Sequence, residues 1–258
     1  MPTTLRLFVP QRLVNGQSLT LSADQAHYLA QVMRRKVGDR VEVFNGEDGA
    51  FHGTLSALSR RAVAVEIGDQ LRAPAPEGDL TLYFAVVKRG AVEMIVQKAT
   101  ELGVTRLQPL ITERTVAKGF NAERLAAIAR EAAEQCERLS VPALGEPIRL
   151  EALLAKREDR PSAVIFFADE AGDDPDRRWG GRSGRAAPLA ICLQRLAKRP
   201  VSLGLLVGPE GGFTTAERDT LRAAPGIVPA GLGPRILRAD TAAITGLAIL
   251  QSYLETTP

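Results

Sequence analysis

Five compact apolar runs, 80–87, 104–110, 163–168, 202–207 and 227–232, alternate with helical patterns through the later part of the chain. Runs of this length without polar alternation suit strands buried on both faces, as in a parallel sheet covered by helices. The clearest helical pattern is 123–139, where Leu125, Ile128, Ala129, Ala132, Ala133, Cys136 and Leu139 form an apolar stripe opposite Arg130, Glu131, Glu134 and Arg138. This rhythm predicts an α/β domain.

The first seventy residues read differently. Short strands are expected at 5–9, 40–44, 51–58 and 62–67, with Asn45-Gly46 and Asp48-Gly49 as turn signals. One helix interrupts them: Ser22-Ala23-Asp24-Gln25 fits a capping box, and Ala26, Leu29, Ala30 and Met33 then share a face. The pattern suggests a small β-barrel carrying one helix. Pro, Gly, Ala and charge at Arg72-Ala73-Pro74-Ala75-Pro76-Glu77-Gly78-Asp79 read as a linker, dividing the chain into 1–72, 73–79 and 80–258.

Among 258 residues, 45% are hydrophobic and 24% charged, and no apolar run approaches the roughly 20 residues of a membrane helix. The N-terminus lacks a signal peptide's apolar stretch, so a cytoplasmic protein without a membrane partner is expected. Cys136, Cys192, His27 and His52 are isolated, which argues for structural thiols and against a metal site or a histidine-based triad. A net charge of +3 permits a nucleic-acid partner without demanding one. Residues 173–185 hold four arginines and Trp179, a composition that fits either a surface loop or an RNA contact.

Chemistry concentrates in two glycine-rich turns. They are Val207-Gly208-Pro209-Glu210-Gly211-Gly212-Phe213 and Leu232-Gly233-Pro234-Arg235-Ile236-Leu237-Arg238-Ala239-Asp240-Thr241-Ala242. Each follows an apolar run and opens a helical segment, so both can wall one pocket at the carboxyl ends of parallel strands. Neither matches a P-loop or a dinucleotide fingerprint. The glycines at 208, 211 and 212 suit a tight turn whose backbone comes close to a ligand, and Thr214-Thr215-Ala216-Glu217 fits a capping box for the next helix.

With Gln97-Lys98-Ala99-Thr100-Glu101-Leu102-Gly103-Val104, Thr112-Glu113-Arg114, Glu131-Ala132-Ala133-Glu134-Gln135-Cys136, His27-Tyr28-Leu29 and Val43-Phe44-Asn45-Gly46, these turns resemble the RsmE family of SPOUT methyltransferases. The resemblance spans nearly the whole chain. It implies an N-terminal PUA-like β-barrel that binds RNA, followed by a SPOUT-type α/β domain with a C-terminal trefoil knot. It also implies S-adenosylmethionine (SAM) as cofactor, methylation of uridine N3 in 16S ribosomal RNA, and a homodimer. The final helix, 242–254, would supply the dimer interface or else pack into its own core.

Carried over residue by residue, the resemblance places the cofactor against Leu206, Gly208, Pro209, Glu210, Gly211, Gly212, Leu232, Gly233, Ile236, Leu237 and Arg238. Arg235 and Arg238 are candidates for holding the uracil oxygens or a phosphate, and Glu210 or Asp240 for receiving the N3 proton; either acid could instead satisfy a helix N-terminus. Arg34, Arg35, Lys36, Lys88, Arg89, Arg114 and Lys118 are candidate RNA contacts. Two departures stand out. Asp240 replaces the glutamate common in the family, and Ala91-Val92-Glu93 stands where the family carries a basic residue before Met-Glu. The alternatives are a related knotted methyltransferase acting on another RNA and a non-catalytic RNA-binding or ribosome-assembly protein.

Overall fold

The computed structural model describes residues 5–59, 62–116, 120–155, 163–170, 186–198 and 200–256. The chain divides into two units, Met1–Pro76 with Arg130–Val141, and Glu77–Ala129 with Pro142–Pro258. The segment Arg130–Val141 lies outside the 1–72 span expected for the first domain.

In the first unit, every second residue faces the core, as half-buried strands require. Val41 and Val43 lie on β3 (Arg40–Asn45), Phe51 and Leu55 on β4 (Gly49–Leu58), and Val63, Val65 and Ile67 on β5 (Val63–Arg72). β1 (Arg6–Phe8) pairs with β3 in parallel and β2 (Ser18–Thr20) pairs with β5 antiparallel, giving a five-stranded order β1-β3-β4-β5-β2. The β3–β4 turn is built by Asn45, whose side-chain oxygen accepts from the N–H groups of Glu47 at 3.1 Å and Asp48 at 2.6 Å. Gly49 closes it at φ +92, where a Cβ would fall 2.2 Å from the Arg72 carbonyl oxygen. The Ser22–Gln25 capping box opens α1 (Ala23–His27).

Arg6 organises the other side of this unit. It is 7% exposed, and its guanidinium donates to the carbonyl oxygens of Ala133, Glu134 and Arg138 at 2.9–3.1 Å. These carbonyls belong to and follow the last turn of α3 (Ala122–Gln135), so a cation meets the negative end of a helix. Arg6 also pairs with Glu42 at 2.8 Å and lies over the Phe44 ring. Expected in the stripe of 123–139, Cys136 and Leu139 instead lie beyond the end of α3, Cys136 is exposed, and Glu137 turns the chain at φ +62.

Glu134 accepts the Phe8 N–H at 2.9 Å, yet burial pushes its carboxyl above the usual carboxylate range. A raised folded pKa favours folding below the unfolded value, and that contribution is lost as pH rises through the folded value. Glu134→Gln keeps the acceptor and removes the charge. Its melting midpoint is expected to exceed the parent's at pH 7, with the gain vanishing below about pH 4; equal midpoints at pH 7 would refute this.

The second unit contains a seven-stranded sheet in which every pairing is parallel. Its main strands are β6 (Asp79–Ala85), β7 (Arg106–Ile111), β10 (Ala163–Ala168), β11 (Ser202–Val207) and β12 (Ile227–Ala230). Two short strands, β8 (Ala143–Leu144) and β9 (Ile148–Arg149), pair with β7 at one edge. Burial of consecutive residues Leu203 to Val207 explains the unbroken apolar run, because helices cover both faces.

α2 (Arg89–Glu101), the part of α3 up to Ala129, α4 (Leu150–Ala155), α5 (Leu189–Gln194), α6 (Thr215–Ala223) and α7 (Ala239–Thr256) complete the unit. α7 packs on β11, α2 and α5 through Ala242, Ala243, Gly246, Leu247 and Leu250. A Cβ at Gly246 would lie 2.6 Å from a Leu205 methyl, so the helix approaches the sheet at a distance only glycine permits. The order β12-β10-β11-β6-β7 brings the loops after these strands side by side along the carboxyl edge.

Candidate functional site

Three of those loops enclose a cavity of about 530 Å³. Its walls come from Ala168 to Glu170 after β10, Val207 to Phe213 after β11, and Ile236 to Ala239 at the start of α7, with Arg114 reaching in from the loop after β7. A smaller recess of about 60 Å³ shares Glu170, Ile236 and Leu237 with it and extends along Gly231, Leu232, Gly233 and Arg235. A cleft of this size falls within the roughly 300–1,000 Å³ range of small-molecule sites.

The turn after β11 is fastened from several directions. Gly212 donates to the Pro209 carbonyl at 2.8 Å and holds φ +66. Phe213 is buried edge-on against Phe167 with ring centroids 6.2 Å apart. Thr214 and Glu217 form the expected capping box of α6. The other Glu217 oxygen accepts the Glu113 N–H at 2.9 Å, and Arg114 donates to the Gly211 carbonyl at 2.8 Å. The loops after β7 and β11 are therefore joined by hydrogen bonds.

Asp169 and Glu170 follow β10 as neighbours with different surroundings. Asp169 is 4% exposed; its carboxylate takes a two-point pair from Arg218 at 3.0 and 3.3 Å and a second pair from Arg222 at 2.6 and 3.1 Å. Arg218 and Arg222 stand one turn apart on α6, so both reach the same acid. Glu170 is exposed overall, but crowding of its carboxyl by protein atoms, with the Asp169 charge beside it, raises its pKa against the opposing pull of Arg218 and Arg114. That carboxylate lies 2.7 Å from where a Gly212 Cβ would stand. Gly212→Ala is thus expected to cost about 1–2 kcal/mol through its left-handed backbone alone. Chemical denaturation should show Glu170→Ala relieving the clash but not that backbone cost; a Gly212→Ala protein as stable as the parent would contradict the assignment.

The second glycine turn is set by the strand edge before it. Gly231 donates to Ala187 at 2.9 Å and accepts from Leu189 at 3.0 Å, which ties it beside the chain that enters α5. Gly233, at φ +126, has open space where a Cβ would be. Among the described residues, the N–H groups of Ile236 and Leu237 donate to no protein acceptor.

Of the residues expected from sequence, Gly208, Pro209, Glu210, Gly211, Gly212, Ile236, Leu237 and Arg238 line the large cavity, while Leu232, Gly233 and Arg235 line the recess. Leu206 does not: it points into the core with Phe167 and Phe213. Asp240 is not in either wall; its carboxylate accepts the Thr241 N–H at 2.7 Å in the first turn of α7. Arg114 serves the β11 turn, and Arg89 pairs with Glu93, which Arg124 also engages. Those two arginines, Arg124 first, hold the Glu93 carboxyl down at about 2. Arg34, Arg35 and Lys36 belong to the first unit, and Lys88 is exposed beside α2. Lys118, Trp179 and the 173–185 segment lie outside the described residues. Sequence reasoning missed Asp169, Glu170 and Arg218, although an Asp-Glu pair directly after an apolar run was a usable signal.

Among the described residues, no group of three or more His, Cys, Asp or Glu could hold a metal ion, and no helix is long and apolar enough to cross a membrane.

A glycine-walled cleft over the carboxyl ends of a parallel sheet defines the second unit as an α/β domain whose cleft has the size of a small-molecule site. Residues 74–251 match the RNA methyltransferase domain, and residues 21–68 match the RNA methyltransferase PUA domain. The chain is 31% identical over 254 residues to ribosomal RNA small subunit methyltransferase E of Rickettsia conorii, covering 97% of both. It is 32% identical to the protein of that name from a Synechocystis strain, covering 97% of this chain and 78% of the relative. Similar solved structures include a Legionella pneumophila methyltransferase with bound SAM, at TM-score 0.80 and 29% identity over 97% of this chain and 98% of that one. The Neisseria gonorrhoeae ribosomal RNA small subunit methyltransferase E, bound to SAM, superposes at TM-score 0.76 and 26% identity over the same shares. The chain belongs to the RNA methyltransferase family that includes the ribosomal RNA small subunit methyltransferases E.

Proposed function

We propose that this protein is a SAM-dependent methyltransferase acting on uridine N3 of 16S ribosomal RNA. The observation that carries the reading is the cleft formed by the two glycine turns, in a fold shared with relatives solved with SAM. The residues present fit such a cofactor. Leu237, Ile236 and Ala242 offer apolar cover for a purine, the unpaired N–H groups of Ile236 and Leu237 offer donors to its ring nitrogens, and Glu170 and Glu210 offer negative charge to a cationic ligand. When bound, SAM supplies an electrophilic methyl group on a sulfonium.

The chain's own task is alignment and management of a proton. Transfer to N3 forms an N–C bond, breaks an S–C bond and requires loss of the N3 proton, so the site must favour a uracil anion. Arg238 at the large cavity and Arg235 at the recess are the cations assigned to the uracil oxygens. Glu210, exposed at the cavity wall, is assigned as proton acceptor, whereas Asp240 serves its own helix.

In this reading the five-stranded unit is a PUA-like barrel that positions RNA, supported by the PUA match. The C-terminal trefoil knot that the resemblance implies is supported by the match to the RNA methyltransferase domain. The face of α7 that carries Ile244, Ala248 and Ile249 is assigned to a homodimer interface, and a ribosomal substrate supports a cytoplasmic location.

The test is tritiated methyl transfer to small ribosomal subunits from a strain lacking the protein, with the modified base identified by mass. Label on uridine N3 is expected. Label on any other atom would overturn the assignment.

A further inference from the structure

The first unit carries a surface that its own core does not use. Beyond His27, α1 continues through Tyr28–Val32 as a π-helical turn, in which the Met33 N–H donates to the Tyr28 carbonyl at 2.9 Å. Such turns are rare and often mark functional positions. Leu29 anchors the turn in the core, while Tyr28 and Val32 are 36% and 59% exposed. Arg34 then adopts φ +50, a backbone conformation unfavourable for any residue with a Cβ. Arg34 and Lys36 are exposed and form no ion pair among the described residues. Arg35 has a buried Nε with no hydrogen-bond partner.

An exposed phenol, an aliphatic neighbour and unpaired cations within nine residues combine a face for a base with charge for a phosphate chain. Unpaired RNA is recognised by that combination, whereas duplex binding by charge alone has no use for the ring. We propose that residues 28–36 form a platform for single-stranded RNA, with Tyr28 stacking on an unpaired base, Val32 packing beside it, and Arg34 and Lys36 meeting the flanking phosphates. The proposal rests on the RNA methyltransferase reading. It deepens that reading by naming a contact surface outside the cleft and the form of RNA it takes.

The experiment measures binding of the full-length protein to a fluorescein-labelled, unstructured RNA dodecamer across a salt series, with methyl transfer to small subunits assayed in parallel. Tyr28→Ala should weaken binding by roughly 5- to 150-fold, the range a single base–aromatic stack represents, and Tyr28→Phe should retain it. Arg34→Gly should lower the salt slope by about one while raising the melting midpoint, because glycine accepts the left-handed backbone. A purely structural role for Arg34 cannot produce that opposition.

If the parent methylates subunits but Tyr28→Ala and Arg34→Gly bind RNA as it does, the platform is refuted and the enzymatic reading stands. If the parent transfers no methyl group yet these variants lose RNA affinity, the enzymatic reading fails and the platform stands. A change of sedimentation in Tyr28→Ala with unaltered RNA affinity would make the surface a protein interface and refute the proposal.

Discussion

Asp169→Ala is expected to destabilise the second unit by about 3–5 kcal/mol, because it leaves two arginines without the buried acid that neutralises them. Asp169 is the meeting point of Arg218 and Arg222, so its loss removes from both guanidiniums the buried carboxylate that they share beside the cleft. Asp169→Asn keeps the shape and some hydrogen bonds and should fall between the parent and alanine. Urea denaturation followed by tryptophan-independent circular dichroism would measure both, and calorimetry with SAM would show whether the cleft survives. A loss below about 1 kcal/mol for the alanine variant would mean that the pair has the small worth of a surface salt bridge.

Arg6→Leu is expected to cost the first unit about 3 kcal/mol. Three carbonyl oxygens at the end of α3 lose their donor, and Glu42 is left with Arg72 as its cation. At roughly 2–4 °C per kcal/mol for a protein of this size, the melting midpoint should fall by about 6–12 °C. Arg6→Lys should recover only part of the loss, since an ammonium cannot reach carbonyls and carboxylate together in the planar fork of a guanidinium. A lysine variant as stable as the parent would show that charge alone matters at this position.

Much of the sheet was legible because buried parallel strands leave long apolar runs. The strands at 163–168 and 202–207 occupy the expected spans, and both capping boxes form as their spacing indicated. Where the signal was polar or non-local, sequence was silent. β2 is Ser18–Thr20, two of whose three residues are exposed and which exists only because it pairs with β5. α3 stops at Gln135 with no glycine to announce it; Glu137 takes the left-handed turn instead. β12 ends at Ala230, short of the expected 232, where Gly231 turns its bonds to Ala187 and Leu189.

The cleft was half legible for a related reason. Glycines advertise backbone geometry, so both turns could be recognised from their composition. Asp169 and Arg218 are ordinary charged residues 49 positions apart, and only the sheet order brings them together. Asp240 illustrates the reverse case: its position beside the motif suggested chemistry, but its nearest donors belong to its own helix.

Glu217 has consequences for reading mutational scans. One carboxylate closes the cap of α6 and holds the Glu113 backbone, while Arg114 next door reaches the glycine turn. Substitutions at Glu217, Glu113 and Arg114 will be non-additive, because each changes the register of the same two loops. In a scan scored by activity, Glu217 would rank with residues that touch the ligand although it is absent from the cleft wall. Its sensitivity would report the mechanical unity of two loops.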